Sequence, residues 1–230
     1  MEAQNKTRTV TVGKAMRSTN STIALQNRQA FKSAGVCVLN MLSSPGSGKT
    51  ALLERTAREL GQNTSLAIIV GDLATENDAN RLKSAGARAL QITTGDVCHL
   101  DASMVERAID EIGIEGLDLL FIENVGNLVC PASYDLGESI RVVLLSVTEG
   151  EDKPLKYPTI FKDIDLAIVT KVDLAPYLDY NLNQAIENIH NVAPQADVIT
   201  LSSKTGDGIE EWYRFLNARA FSRTSEQGAV

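Results

Sequence analysis

The chain has 230 residues, 43% of them hydrophobic, which is enough for one α/β domain with a sizeable core and too short for two. Its 22 Lys and Arg against 29 Asp and Glu leave a formal charge of −7, and an acidic surface repels phosphate backbones, so no nucleic-acid partner is expected. With no apolar run of about 18 residues and no apolar signal core behind Met1–Lys6, no membrane partner and a cytoplasmic location are expected.

In chain order, residues 1–13 are polar and β-branched without a period, and Lys14 to Lys32 carries helix formers around Ile23, Leu25 and Phe31. Residues 1–33 therefore read as a peripheral arm whose helix packs on the domain. Apolar runs follow at Val36–Leu42, Ser65–Val70, Leu90–Ile92, Leu117–Ile122, Val142–Val147, Leu166–Val169 and Val198–Leu201. Between them lie helical patterns at Ala51–Leu60, Glu76–Ala85, Leu100–Ile112, Leu182–Val192 and Ile209–Leu216. This alternation, with strands apolar throughout, predicts an α/β fold over 34–221: a mostly parallel sheet flanked by helices on both faces, with function at the carboxyl ends of the strands. Residues 222–230 read as a flexible tail.

The stretch Ser43-Ser-Pro-Gly-Ser-Gly-Lys-Thr50 joins the first strand to the first helix of that array. In a P-loop NTPase the backbone N–H groups, here those from Ser44, Gly46, Ser47 and Gly48 to Ala51, cradle phosphates; Lys49 reaches the β/γ-phosphates and the Thr50 hydroxyl binds Mg²⁺. Ser43 stands where the motif has its first Gly. Farther on, Thr170-Lys171-Val172-Asp173 resembles the guanine-selecting motif of GTPases. The Asp173 carboxylate can accept from the ring N1–H and the exocyclic amine of guanine, whereas adenine leaves it unpaired. Leu201-Ser-Ser-Lys-Thr-Gly206 resembles the loop that closes over the base, adding Ser203 and Lys204. Together these select GTP and GDP, in a G-domain-like fold.

The strand before Glu123-Asn-Val-Gly126 takes the Walker B place, with Glu123 for Asp as an acid near Mg²⁺ and Gly126 offering an N–H near the γ-phosphate. Asp72 is a second acid for Mg²⁺ or for the attacking water. With Lys49, these form the candidate catalytic set. Asn127 follows Gly126 where many GTPases keep a water-positioning Gln, so intrinsic hydrolysis is expected to be slow and to need a partner or second subunit.

Three cysteines, Cys37, Cys98 and Cys130, cannot all pair within one chain, and without an export signal no disulfide is expected. Cys37 reads as packing within a strand, and His190 as a surface or helix-end residue. Cys98, His99 and Cys130 suit Ni²⁺ or Zn²⁺, although without a Cys-x-x-Cys the spacing alone is a weak signal and a Cys is often a small buried side chain. Three ligands leave a four-coordinate ion one short, to be completed by water, a partner or a second copy.

Cys98-His-Leu-Asp101, Glu123-Asn-Val-Gly-Asn-Leu-Val-Cys-Pro-Ala-Ser-Tyr-Asp-Leu-Gly-Glu138 and Thr148-Glu-Gly-Glu-Asp-Lys-Pro-Leu-Lys-Tyr-Pro158, with the phosphate loop, resemble the HypB family over about Asn27–Leu216. The resemblance implies a GTPase that hydrolyses GTP and handles nickel for [NiFe]-hydrogenase maturation, with the metal on Cys98, His99 and Cys130 at a dimer interface. It also implies a homodimer favoured by GTP and metal, a HypA-like nickel metallochaperone partner, delivery to the hydrogenase large subunit, and contacts from Lys153 across the dimer near the nucleotide. The related urease GTPases keep Cys-Pro-His where this chain has Cys130-Pro-Ala132. A regulatory GTPase with structural cysteines is the alternative of another class. Met1–Ser33 holds no Cys or His, so neither the Cys-rich nor the His-rich N-terminal metal segment of some members is expected. Gly95-Asp-Val97 replaces the family's Gly-Lys-Gly; Asp96 would either attract cations or loosen a contact toward the nucleotide.

Overall fold

The computed structural model describes residues 12–74 and 77–221. The elements run α1 (Val12–Ala34), β1 (Cys37–Ser43), α2 (Lys49–Leu60), β2 (Leu66–Asp72), α3 (Asn77–Ser84), β3 (Arg88–Thr93), α4 (Ala102–Ile112) and β4 (Leu119–Glu123). They continue with β5 (Ile140–Ser146), the single turns α5 (Lys153–Lys156) and α6 (Pro158–Phe161), β6 (Leu166–Thr170), α7 (Leu182–Val192), β7 (Asp197–Leu201) and α8 (Ile209–Phe221). Every expected strand is present. Glu76, the expected start of α3, lies outside the described residues, as do most of the expected arm before the helix and the expected tail.

The seven strands form one sheet in the order β3-β2-β4-β1-β5-β6-β7, with every pairing parallel. Side chains alternate across it. Cys37, Leu39 and Met41 of β1 face α2, α3 and α8, where Leu52, Leu53, Leu82 and Trp212 are buried. Val38 and its neighbours on β2 and β4 face α1 and α4 through Phe31, Val105 and Ala108, while Val143, Ala167 and Val169 meet α6 and α7. Burial on both sides explains why the strands read as continuous apolar runs; each Leu or Ile buried contributes about 1.5–3 kcal/mol. Trp212 is fully buried on that first face, and its indole N–H donates to Thr56 Oγ1 at 2.9 Å.

The expected arm helix is less peripheral than its place in the chain suggested. Ala24 and Phe31 are buried, Asn20 and Asn27 bond to the loop backbones flanking α4 and β5, and Gly35 (φ +71) ends the helix. An amphipathic helix beside a sheet adds to the core when its apolar stripe meets uncovered strands, and here that stripe covers β1 and β4.

Because all strands are parallel, all their carboxyl ends share one edge. Along that edge lie, in order, the loop after β3, Asp72 of β2, Glu123 of β4, the phosphate loop after β1, the loop after β5, and the loops after β6 and β7.

Candidate functional site

β1 delivers Ser43 at the sheet edge and α2 begins six residues later, at Lys49. Gly48 adopts φ 97°, a left-handed conformation that glycine tolerates, and no side chain caps the helix. The N–H groups of the first turn are thus left facing a cavity of about 400 Å³ lined by Lys49, Thr50, Asp72, Glu123 and Gly126, an arrangement suited to an anion. Ser43 takes a role that a Gly could not. Its hydroxyl accepts from Lys49 Nζ at 2.7 Å and donates to the Ser44 carbonyl at 2.6 Å, parking the buried ammonium beneath the loop.

Thr50 Oγ1 donates to Glu123 Oε1 at 2.7 Å, while Oε2 of the same carboxylate is buried without a partner. Burial pushes the Glu123 carboxyl up to about 7, against the pull of Lys49; burial likewise lowers Lys49, against the pull of Glu123. Removal from bulk solvent disfavours the charged form of each group. An orphaned oxygen beside a hydroxyl at a phosphate loop fits Mg²⁺. Asp72, at the end of β2, accepts from the Leu73 N–H at 2.6 Å. Gly126 lies so close to the phosphate loop that a Cβ there would sit 2.9 Å from Pro45 Cα.

The opposite end of the edge holds the residues expected from the sequence to select the base. A cavity of about 240 Å³ is lined by Thr170, Lys171, Asp173, Ser203 and Lys204 with Ala51. Lys171 has φ 59° and donates from Nζ to the Gly46 carbonyl at 2.6 Å, so its stem crosses the phosphate loop. Thr170 Oγ1 donates to the Ser47 carbonyl at 2.7 Å, tying β6 to the same loop.

Sequence reasoning missed Glu149. Its Oε1 accepts from Ser47 Oγ at 2.6 Å, and its Oε2 lies 3.9 Å from Lys153 Nζ, which places Lys153 one side chain away from the phosphate loop. Lys153 also stands 5.3 Å over the Tyr157 ring. Asp78 and Arg81 of α3 line the phosphate cavity as well; a polar helix carries no signal of which acid will face a ligand.

The loops after β3 and β4 meet beside β2. Cys98 and Cys130 form a disulfide with Cα atoms 6.4 Å apart. This corrects the expectation that none would form, which rested on an odd count and on compartment, neither of which senses that two loops 32 residues apart converge. Ligand atoms of Cys98, His99 and Cys130 all lie within 4.8 Å of one another. Only the reduced pair offers thiolates to a metal, and in that form the three residues make a soft, partly buried donor set. The His99 ring packs against Tyr134 with centroids 3.9 Å apart and the planes tilted by 33°; its Nδ1 is buried without a partner, and burial holds its pKa below the ordinary value. A neutral imidazole with an unpartnered nitrogen is in the form that binds metal. Asn127 is committed to this loop: its Oδ1 accepts from the N–H groups of Val129, at 2.7 Å, and Cys130, at 3.4 Å. Asp96 and Val97 are exposed, Cys37 is buried in β1, and His190 is exposed on the last turn of α7.

A family model described as CobW/HypB/UreG, nucleotide-binding domain, matches residues 37–200. The chain is 51% identical over 216 residues to the hydrogenase maturation factor HypB of Rhizobium leguminosarum bv. viciae, covering 94% of this chain and 72% of that relative. Among solved structures it is similar to HypB from Helicobacter pylori in complex with nickel, with 42% identity and a TM-score of 0.83 over 88% of this chain and 95% of that one. It is also similar to the hydrogenase maturation factor HypB from Archaeoglobus fulgidus, with 39% identity and a TM-score of 0.83 over 88% and 99% of the two chains. The glycine-rich loop, the cavity beside Asp173 and the paired cysteines along one strand edge, together with these likenesses, lead to one assignment: the chain belongs to the CobW/HypB/UreG family, in its HypB hydrogenase maturation branch.

Proposed function

We propose that this chain is a slow, Mg²⁺-dependent GTPase that binds Ni²⁺ or Zn²⁺ on Cys98, His99 and Cys130 and promotes nickel insertion into a [NiFe]-hydrogenase, with residues 34–221 as its GTPase domain. The observation that carries the reading is the convergence of those three ligands within 4.8 Å on the strand edge that also bears the phosphate loop. Lys49, Ser44, Gly46, Ser47, Gly48 and Ala51 hold the phosphates, Thr50, Glu123 and Asp72 hold Mg²⁺, and Thr170, Lys171, Asp173, Ser203 and Lys204 hold guanine. When bound, Mg²⁺ supplies positive charge that offsets charge developing on the phosphates. Gly126 senses the γ-phosphate four residues before Cys130, so the nucleotide state sets the geometry of the metal ligands. Asn127 Oδ1 accepts two N–H groups of the Cys130 loop, in keeping with a low intrinsic rate. No helix among the described residues is long and apolar enough to cross a membrane.

Three ligands leave room for a fourth from water, a partner or a second copy, which supports a homodimer favoured by GTP and metal, with Lys153 contacting the partner's nucleotide. A HypA-like metallochaperone and the hydrogenase large subunit are the partners this reading requires. Reduced protein titrated with Ni²⁺ in GDP and in a non-hydrolysable GTP analogue tests it. The two affinities should differ, and Cys98→Ala and Cys130→Ala should abolish Ni²⁺ binding while GTP binding persists. Equal affinities in the two nucleotides would overturn the switch, and undiminished Ni²⁺ binding in both variants the site. Light scattering under the same conditions checks the dimer; a monomer throughout rules out a shared metal.

A further inference from the structure

Asn40 is a polar residue at the centre of β1 and is fully buried, on the sheet face covered by α1 and α4. A buried carboxamide persists when its polar atoms find partners, and this one lies between a second carboxamide and a carboxylate. Its Oδ1 accepts from Asn124 Nδ2 at 3.3 Å and its Nδ2 donates to Glu138 Oε1 at 3.1 Å. Asn124, 1% exposed, directly follows Glu123. Its Oδ1 accepts two main-chain N–H groups, from Val125 at 3.0 Å and from Leu100 at 3.1 Å.

Those two N–H groups belong to different loops. Val125 precedes Gly126, and Leu100 follows His99. At the other end of the network, Glu138 Oε2 accepts the Leu136 N–H at 2.8 Å, two residues beyond the Tyr134 ring that packs against His99. Arg141 completes Glu138 with bonds of 3.0 and 2.7 Å from Nε and Nη2 to Oε1. One buried polar chain thus runs from the phosphate-side loop to both sides of the metal ligands.

We propose that Asn124 is the positioning residue through which the nucleotide state reaches His99, with Asn40 and Glu138 extending the link to the loop that carries Cys130 and Tyr134. The inference rests on the nucleotide-responsive metal site described above. Any displacement of Val125 with the phosphate-side loop pulls the Asn124 carboxamide, and with it the Leu100 N–H. Satisfied buried amides resist partial rupture because an orphaned group is costly in a low dielectric, so the two loops move together or not at all. The α1 amide Asn27 provides the contrast. It donates to the carbonyls of Ala102 at 2.9 Å and Leu136 at 3.1 Å without touching the phosphate side, so it braces the metal loops in either nucleotide state.

The test is the ratio of Ni²⁺ dissociation constants in GDP and in a non-hydrolysable GTP analogue, measured on the reduced full chain with Mg²⁺ by competition with a chromogenic chelator. Coupling between two sites falls typically between roughly 5- and 150-fold. Asn124→Ala should bring the ratio to within about twofold of unity with nucleotide affinity retained, whereas Asn27→Ala should weaken Ni²⁺ in both states and keep the wild-type ratio. Asn40→Ala cuts only the Glu138 arm and should shrink the ratio partway; it carries the test where Asn124→Ala is too unstable to assay. A wild-type ratio preserved in either link variant that folds overturns the inference while leaving the metal switch standing. A wild-type ratio of unity overturns the switch itself.

Discussion

Replacing Glu123 with Gln perturbs a buried charge in a measurable way. The carboxyl is 4% exposed and burial raises it from 4.5 to about 7, with Lys49 opposing the rise. Because the folded value lies above the unfolded one, the folded state binds more protons between the two. Stability is therefore greatest below the lower value and is lost as pH climbs through the upper. A gap of 2.5 units corresponds to at most about 3 kcal/mol. Between pH 5.5 and 8 about 2 kcal/mol of it is lost, since the folded group is then largely ionised while the unfolded one already was at the start. For a chain of this size that is roughly 4–8 °C in Tm. Thermal and urea unfolding of the nucleotide-free protein at both pH values is the assay. Wild type should show this loss beyond whatever other groups contribute to both proteins, and Glu123→Gln should lack it and be the more stable of the two at pH 8. Saturating Mg·GTP should reverse the order there, because the carboxylate that destabilises the empty site is the one the cation needs. Parallel pH profiles for the two proteins would refute the reasoning.

Asp173→Asn should weaken GTP binding by roughly 10²-fold and favour xanthine nucleotides, as one charge-assisted bond worth about 1.5–3 kcal/mol is exchanged for a mismatched amide; unchanged base preference in fluorescent-nucleotide titrations would count against the pocket assignment. Gly126→Ala places a methyl 2.9 Å from Pro45 Cα, a backbone atom that cannot rotate away, so binding of a GTP analogue should fall at least about tenfold with GDP little changed, at a stability cost of about 1–3 kcal/mol; equal loss for both nucleotides would contradict a γ-phosphate role. Protein oxidised to the Cys98–Cys130 disulfide should bind no Ni²⁺ and recover it with dithiothreitol, and Ni²⁺ binding by the oxidised form would place the metal elsewhere. Thr56→Val leaves the buried indole N–H of Trp212 without its partner, which should cost about 1–3 kcal/mol in urea unfolding followed by tryptophan fluorescence.

The strands, their parallel sense and the positions of the glycine-rich loop after β1 and of the motifs after β6 and β7 were all legible in the chain, because backbone hydrogen bonding and burial on both faces impose local patterns of apolar runs and glycine-rich turns. Cys98, His99 and Cys130 were legible as donor types only. Their meeting depends on β3 and β4 lying either side of β2, a matter of strand order that spacing does not encode. The same limit hid the disulfide, the reach of Glu149 to Ser47 and which strands the packed helix α1 covers. Asn40 and Asn124 look like ordinary polar residues in the sequence; only packing shows that they are buried and that each completes the other. Residue chemistry by itself pointed to a guanine nucleotide beside soft metal donors. Tertiary structure decided which loops those donors share, because contacts between distant segments arise from the order in which the sheet is assembled.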